Sequence, residues 1–208
     1  MTGAASMVFV VDDDSSVRKS MTRLIGSAGY TVEAFASARE FLARARYPGP
    51  ACLVLDVRMP GLNGLDLQET LARVGRRMSI VFVTGHIDVS ESVRAMKHGA
   101  VDLLMKPVDD LELLAAVGRA LAKDLQDLAV EARLASVQGR VKTLTPRETE
   151  VFALVVTGMP NKQIARELGV SEKTVKVHRA RVMEKMRAGS VAELVRLADQ
   201  LGVVVPKS

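Results

Sequence analysis

The 208-residue chain is long enough for two modest domains, each able to bury its own hydrophobic core. Its composition, 48% hydrophobic and 25% charged residues, is ordinary for a globular protein, and no apolar run approaches the ~20 residues that a membrane-spanning helix needs. The first eleven residues contain no basic segment of the kind that opens a signal peptide, and the single cysteine, Cys52, excludes an internal disulfide bond. We therefore expect a cytoplasmic protein with no membrane partner.

The net charge of +5 is concentrated in the last third of the chain. Residues 141–208 hold 12 Lys and Arg against 7 Asp and Glu, whereas residues 1–140 hold 17 of each kind. This asymmetry is typical of a neutral regulatory domain that is followed by a domain binding nucleic acid.

Five short apolar runs alternate with amphipathic helical patterns in the first half of the chain. They predict strands at residues 7–11, 31–35, 52–56, 80–83 and 103–105. Because parallel neighbours need helical crossovers, this alternation predicts a doubly wound α/β domain with a five-stranded parallel sheet.

The third of these strands is apolar on both faces, which is typical of the centre of a parallel sheet. Cys52-Leu53-Val54-Leu55 leads directly into Asp56, and the turn signal Pro60-Gly61 follows. Functional groups in such sheets lie just beyond the carboxyl ends of the strands. Asp56 is therefore the first candidate functional residue.

A long helical pattern begins near Asp109 and extends for roughly 30 residues, well beyond the mean helix length, with Gly139 as its expected end. We interpret its second half, residues 123–140, as a helical linker. This predicts a first domain at residues 1–122 and a second domain at residues 141–208.

Leucines recur every seven residues along this helix, at Leu114, Leu121 and Leu128. Two interpretations remain open. The leucines form the seam of a coiled-coil dimer, or they pack the helix against its own domain.

The last third of the chain is predicted to be all-helical. Thr145-Pro146-Arg147-Glu148 forms a capping box with proline at the first helical position, which marks a helix start. Two further helices, at residues 161–168 and 171–186, are separated by a short turn containing Gly169, and a closing helix spans residues 190–201. The pair joined by a glycine-containing turn predicts a helix-turn-helix motif.

Polar side chains stand where four of the predicted strands end, at Asp12, Asp13, Asp56, Thr84 and Lys106. The carboxyl ends of parallel strands share one edge of the sheet, so we expect these groups to converge. Three carboxylates in one crevice favour a bound cation, and oxygen-only ligands favour Mg²⁺ or, alternatively, Mn²⁺. A lysine and a hydroxyl facing that cation suit an incoming phosphoryl group. We interpret Asp56 as a nucleophile that becomes an aspartyl phosphate.

The segments around these residues resemble the receiver domain of response regulators over residues 7–120. They are Val-Val-Asp-Asp-Asp, Leu-Asp-Val-Arg-Met-Pro-Gly-Leu-Asn-Gly, Val-Thr-Gly-His and Met-Lys-Pro. The C-terminal part resembles the LuxR-type DNA-binding domain, so the whole chain resembles a two-component regulator of the FixJ/NarL class. This resemblance implies a flavodoxin-like receiver and an all-α, four-helix helix-turn-helix domain.

The resemblance also implies roles for the acidic residues. Asp56 would be the phosphoacceptor, while Asp13, Asp56 and the Arg58 carbonyl would hold Mg²⁺ and Asp12 would act through water. Arg58 and His86 each lie two positions beyond a key residue. We hypothesise that their side chains screen the attacking water and help to set the lifetime of the phosphate.

On the same resemblance, Thr84 and Lys106 would grip the phosphoryl oxygens, and the Lys106–Pro107 bond would be cis. One position departs from the family pattern. Where Tyr or Phe usually stands three residues before the lysine and swings inward on activation, this chain has Leu103. A leucine can change rotamer but has no ring to contribute, so we expect the signal to travel by movement of the loop after Thr84.

The second helix of the helix-turn-helix carries basic side chains and would enter the major groove. The resemblance places Lys176 and Val177 at base-contacting positions, and Ala180 stands where a basic residue is common, which shifts the expected contact to Arg179 or Arg181. We expect Lys185 and Arg187 to be solvated. The candidate DNA-binding residues are Lys162, Lys173, Thr174, Lys176, Val177, Arg179 and Arg181.

The implied partners are a sensor histidine kinase, double-stranded promoter DNA, RNA polymerase and a second copy of the chain after phosphorylation. Three other functions compete with this interpretation. A phosphatase with an aspartyl intermediate would place a second acid where Arg58 stands, and no P-loop pattern exists to hold a nucleotide. We therefore expect that the chain is not an enzyme, apart from the formation and hydrolysis of its own aspartyl phosphate. A receiver coupled to RNA or to a protein, and a regulator that binds DNA without phosphorylation, are the other two.

Overall fold

The computed structural model describes residues 5–86 and 88–202, so the expected domain ends at residues 1 and 208 lie outside the described residues. The chain divides into two compact units, Met1–Leu128 and Ala129–Ser208. The elements of the described chain that begin in the first unit are β1 (Met7–Val11), α1 (Ser15–Ser27), β2 (Thr31–Phe35), α2 (Ala38–Ala43), β3 (Ala51–Asp56), α3 (Gly64–Arg73), β4 (Ser79–Thr84), α4 (Val89–Lys97), β5 (Asp102–Met105) and α5 (Asp110–Val141).

The strands form one five-stranded parallel sheet in the order β2-β1-β3-β4-β5. This confirms the predicted doubly wound α/β fold. All six residues of β3 are buried, and the strand lies at the centre of the sheet between β1 and β4. Its carboxyl end, Asp56, is therefore flanked by the ends of two other strands.

Each face of the sheet is covered by helices. Alternate residues such as Phe9 and Leu53 pack with α2, α3 and the side of α4 that contains Ala95. The intervening residues, such as Val10 and Val54, pack with α1 and α5. Because both pleat faces are buried, the strands are continuously apolar rather than alternating. Cys52 lies in the second of these cores as a free thiol, and burial raises its pKa.

Helix α5 continues to Val141, two residues beyond the expected end at Gly139. Leu121 is buried in the core beneath the sheet and Leu114 packs against it, so these two leucines hold the helix on its own unit. Asp124 lies further along the helix and is also buried. Its carboxylate accepts hydrogen bonds from the backbone N–H groups of Ala51 and Ser79, at 2.8 and 3.3 Å, where β3 and β4 begin.

The second unit contains α6 (Pro146–Val156), α7 (Asn161–Glu167), α8 (Glu172–Met186) and α9 (Val191–Gln200). Thr145 and Glu148 form the predicted capping box, and Gly169 has the left-handed φ of 64° that the turn between α7 and α8 requires. Val137, near the end of α5, packs into the core that these helices share. The all-α helix-turn-helix fold is confirmed. No helix in the described part of the chain is both long and apolar enough to cross a membrane.

Candidate functional site

Three carboxylates meet at the carboxyl edge of the sheet. Asp12 and Asp13 follow β1, and Asp56 ends the adjacent strand β3. One oxygen of each lies within 4.8 Å of the others. Asp12 and Asp56 are buried and Asp13 is exposed, so the cluster opens to solvent on the side of Asp13.

Lys106 joins two of these carboxylates. Its Nζ lies 2.7 Å from Asp12 Oδ2 and 2.7 Å from Asp56 Oδ2. Its backbone N–H donates to the Thr84 carbonyl at 2.8 Å, and the following bond to Pro107 is cis. Burial lowers the pKa of Lys106, but hydrogen bonds to the two carboxylates outweigh that effect and leave the pKa raised. The lysine is therefore a cation in this site.

The donor set fits a divalent cation. If all three carboxylates are ionised, Lys106 compensates one of three negative charges. Burial raises the pKa of Asp12 in spite of the neighbouring lysine, because removal from water disfavours the charged carboxylate. Oxygen ligands with two uncompensated charges suit Mg²⁺, which keeps several waters and accepts one or two carboxylates.

The hydroxyl of Thr84 is fully buried and donates to the His86 carbonyl at 2.9 Å. It is thus held by its own loop rather than by the carboxylate cluster. Leu103 pairs with Phe82 across β4 and β5 and packs, partly buried, against the core on the α3 and α4 side of the sheet.

Arg58 extends from the loop after β3 towards α4. Its backbone N–H donates to Asp56 Oδ1 at 3.0 Å. Its guanidinium Nη2 lies 2.8 Å from Glu91 Oε2, in the first turn of α4. The side chain of Arg58 therefore forms an ion pair with a residue of α4, a contact that the sequence did not predict.

Two residues near the site were given no role from the sequence. A Cβ at Gly64 would lie 2.3 Å from the Asp56 carbonyl oxygen, so only glycine fits where α3 begins against the end of β3. Arg18 of α1 donates from Nη1 to the Asp12 carbonyl at 2.6 Å. The glycine ends the Pro-Gly-Leu-Asn-Gly segment, where its spacing from Asp56 was a usable signal, whereas Arg18 offered none.

Helix α8 presents most of the candidate DNA-binding side chains to solvent. Thr174 is partly buried, and its hydroxyl lies 2.8 Å from that of Ser171, the N-cap of α8. The exposed candidates are Lys162, Lys173, Lys176, Val177 and Arg181.

Arg179 and Lys185 are engaged within the domain. Arg179 Nη1 donates to Asn161 Oδ1 at 2.7 Å, which ties α8 to the start of α7. Lys185 was expected to be solvated, and this is wrong. Its Nζ lies 2.6 Å from Glu148 Oε2 and donates to the Thr143 carbonyl at 3.0 Å, because Glu148 is buried and needs a cation.

Comparisons with known proteins match both units. The family model described as response regulator receiver domain matches residues 8–118, and the model described as bacterial regulatory proteins, luxR family, matches residues 142–198. Nodulation protein W of Bradyrhizobium diazoefficiens is 50% identical over 95% of this chain and 87% of its own length. The transcriptional regulatory protein FixJ of Azorhizobium caulinodans is 43% identical over 94% of this chain and 93% of its own length.

A solved structure of the response regulator StyR is similar as well. It has a TM-score of 0.84 and 43% identity, over 95% of this chain and 100% of that chain. The carboxylate cluster, the two folds and these similarities agree with one another. The chain belongs to the FixJ-like two-component response regulators, which join a receiver domain to a LuxR-type DNA-binding domain.

Proposed function

We propose that Asp56 accepts a phosphoryl group from a sensor histidine kinase and that this modification controls promoter binding. The observation that supports this best is the position of Lys106, whose ammonium lies 2.7 Å from Asp56 beside the three-carboxylate cluster. Asp13, Asp56 and the carbonyl of Arg58 would hold Mg²⁺ or Mn²⁺, with Asp12 acting through water. When bound, the cation supplies positive charge to the phosphoryl oxygens.

In the transfer step, an Asp56 carboxylate oxygen attacks phosphorus and forms a P–O bond. The bond from phosphorus to the donor imidazole nitrogen breaks, and its electron pair returns to that nitrogen. Lys106 stabilises the charge on the equatorial oxygens, and the Thr84 hydroxyl exchanges the His86 carbonyl for one of them. Hydrolysis reverses the modification when water attacks phosphorus, releasing inorganic phosphate and restoring the carboxylate. We propose no turnover of other substrates.

A groove beside Lys106 supports a protein as the phosphoryl donor. It has a volume of about 470 Å³ and lies between α1 and the start of α5. Its lining is largely apolar, which suits the side chains of a partner helix. The residues that line it include Val17, Met21, Leu24, Val83, Pro107, Val108 and Leu113.

An exposed apolar surface supports dimerisation after phosphorylation. We call it the α4–β5–α5 face, and it comprises Val89, Val93, Met96, Met105 and Leu111. All five side chains are exposed and belong to three elements that follow one another in the chain, and large exposed apolar side chains of this kind mark a protein interface. A dimer joined here would present two α8 helices to a promoter with two half-sites.

On this proposal, the chain comprises a receiver at residues 1–122, a helical linker at residues 123–140 and a DNA-binding domain at residues 141–208. Lys162, Lys173, Thr174, Lys176, Val177, Arg179 and Arg181 would contact the DNA. The regulator would act in the bacterial cytoplasm, where promoter DNA and RNA polymerase are found.

A regulator that binds DNA without phosphorylation is the second candidate. Leu103 favours it, because this position lacks the aromatic ring through which relatives of this class respond to phosphorylation. The intact carboxylate cluster and Lys106 favour the first candidate.

The test measures affinity for fluorescent promoter DNA and molar mass by light scattering, with Mg²⁺, before and after treatment with acetyl phosphate. Asp56→Asn is the control. We expect tighter binding and dimer formation in the wild type, and neither response in the variant. DNA binding that is strong and unchanged by treatment would establish the second candidate.

A further inference from the structure

We propose that the ion pair between Arg58 and Glu91 transmits phosphorylation of Asp56 to α4. The incoming phosphoryl group competes with Glu91 for the Arg58 guanidinium, and release of Glu91 loosens the first turn of α4. This inference rests on the proposed phosphorylation of Asp56.

Arg58 is anchored at the site by its backbone. Its N–H donates to Asp56 Oδ1 at 3.0 Å, so its Cα moves with the phosphoacceptor. The side chain is 56% exposed, whereas that of Glu91 is 21% exposed. The arginine therefore has room to turn back towards Asp56, while the glutamate stays with the helix.

One carboxylate oxygen of Glu91 accepts two hydrogen bonds. Its Oε2 accepts from Arg58 Nη2 at 2.8 Å and from the backbone N–H of Asp88, the N-cap of α4, at 3.5 Å. The Glu91 N–H in turn donates to Asp88 Oδ1 at 2.8 Å, completing a capping box. Since the ion pair and the cap share Oε2, a change at Arg58 reaches the start of the helix directly.

Helix α4 depends on such polar contacts because it buries little apolar surface. Ala95 is its one fully buried side chain, while Val89, Val93 and Met96 are exposed. Further along the helix, Gln68 Nε2 donates to the Ala95 carbonyl at 3.1 Å. A helix held in this way opens locally at low cost.

Electrostatics favours the exchange. An aspartyl phosphate has about two negative charges at neutral pH, against one on Glu91, and it would lie next to the backbone of Arg58. Because Leu103 stands where the family usually has Tyr or Phe, this chain has no aromatic side chain at that position to transmit the signal. The Arg58–Glu91 pair supplies a route from Asp56 to the α4–β5–α5 face that needs no aromatic side chain.

The experiment is hydrogen–deuterium exchange of the full chain with Mg²⁺, with and without beryllofluoride, followed in peptides covering residues 88–97. Glu91→Gln removes the charge but keeps a side chain that can complete the capping box. We expect exchange in the wild type to rise with beryllofluoride. In E91Q it should already be faster by roughly two- to fivefold, the value of an exposed ion pair in an opening equilibrium, and should change little on treatment.

Glu69→Gln is the matched control, because Glu69 also pairs with α4, through Arg94 at 2.7 Å, but from α3 rather than from the phosphoacceptor loop. E69Q should exchange faster yet retain the full response to beryllofluoride. Arg58→Gln should behave like E91Q, and the double variant like either single variant.

Phosphorylation by acetyl phosphate, followed on a phosphate-affinity gel, distinguishes a failure of the ion-pair proposal from a failure of the proposed function. If E91Q is phosphorylated and its α4 peptides respond as in the wild type, the role of the ion pair is refuted while the proposed function stands. If the wild type itself takes up no phosphoryl group, both are refuted.

Discussion

Lys106 bridges two of the acidic residues at the edge of the sheet. Asp12 and Asp56 are both buried, and the ammonium lies 2.7 Å from an oxygen of each. Two carboxylates in a largely closed crevice would be costly without such a partner. The lysine therefore serves the site as a counterion, and on the proposed function the same charge would stabilise a phosphoryl group.

Gly64→Ala tests how closely α3 approaches Asp56. A Cβ there would lie 2.3 Å from the Asp56 carbonyl oxygen and 3.1 Å from Val57 Cα, and both are backbone atoms that cannot turn aside. We expect the free energy of unfolding to fall by about 1–3 kcal/mol. Displacement of Asp56 should slow phosphorylation by acetyl phosphate by about 10²-fold. Denaturant unfolding and a phosphate-affinity gel measure the two effects.

The matched control is Gly26→Ala. Gly26 lies within α1, and a Cβ there would meet no atom within 4 Å beyond its chain neighbours and the backbone of its own helix. We expect it to increase stability by about 0.5–1 kcal/mol and to leave phosphorylation unchanged. Equal phosphorylation rates in the two variants would contradict the close-packing argument.

Glu148 makes the stability of the second unit depend on pH. Its hydrogen bond from Lys185, with one from the Thr145 N–H, lowers its pKa to about 2 from an ordinary value of 4.5. Because the folded pKa lies below the unfolded one, the carboxylate contributes its full stability above pH ~4.5 and loses it as the pH falls towards 2. Glu148→Gln removes that contribution.

Hydrogen exchange of α6 and α8 peptides at pH 6 and pH 3 measures the effect. E148Q should exchange faster than the wild type at pH 6, and the difference should shrink at pH 3. Glu150→Gln is the control, since Glu150 is exposed in the same helix. A difference of the same size at both pH values would show that the side chain acts by packing and not by charge.

At the scale of elements, three features hold α8 against α7. Gly169 reverses the chain with its left-handed φ, Ala165 is a small buried residue, and Arg179 bonds to Asn161. These contacts leave one side of α8 free. The exposed lysines and Val177 lie on the free side, which is where a major groove would be contacted.

Lys176→Ala tests that assignment. The lysine is exposed, and within the described part of the chain its one ion pair is a long contact of 3.7 Å with Glu172 of its own helix. If Lys176 contacts a phosphate, promoter affinity should fall, and the slope of log K against log salt should decrease by about 1. Fluorescence anisotropy over a salt series measures both quantities.

Lys142→Ala is the control, because Lys142 is exposed outside the helix-turn-helix. It should leave the slope unchanged. A K176A variant that loses affinity only for the cognate sequence would instead show that Lys176 contacts a base.

At the scale of the whole molecule, the proposed dimerisation can be tested separately from the proposed phosphorylation. Val93→Glu would place a carboxylate in the α4–β5–α5 face without touching Asp56. We expect normal phosphorylation and dimerisation weakened by at least about tenfold, because burying an unpaired charge costs more than ~1.4 kcal/mol. Light scattering after acetyl phosphate treatment measures the dimer.

Val74→Glu is the control for this variant. Val74 is 62% exposed, compared with 46% for Val93, but it follows α3 and lies outside that face. Its dimer should match the wild type. If both variants dimerise normally, another surface joins the two copies.

The predicted strands and the convergence of Asp12, Asp13, Asp56 and Lys106 followed from local patterns. A strand buried on both faces needs a continuous apolar run, and parallel strands end at one edge whatever their order. The helix-turn-helix was predictable for a similar reason, because capping residues and a glycine turn act within a few residues of the chain.

Contacts between distant elements could not be predicted in this way. Helix α5 continues beyond Gly139 because Val137 is buried in the core of the second unit and Arg140 donates to the Met186 carbonyl at 3.1 Å. Such contacts offset the roughly 1 kcal/mol that a glycine costs inside a helix.

The two fold classes, the family and the identity of the acidic residues are predictable from the amino-acid sequence, because they depend on periodicity and on short motifs. The partners that charged side chains meet across elements depend instead on the folded chain: Lys185 meets Glu148, Arg179 meets Asn161 and Arg58 meets Glu91. A long charged side chain can reach several partners, and its position in the sequence does not select among them. The packing of the helices brings one partner within hydrogen-bond distance, and that choice is made in three dimensions.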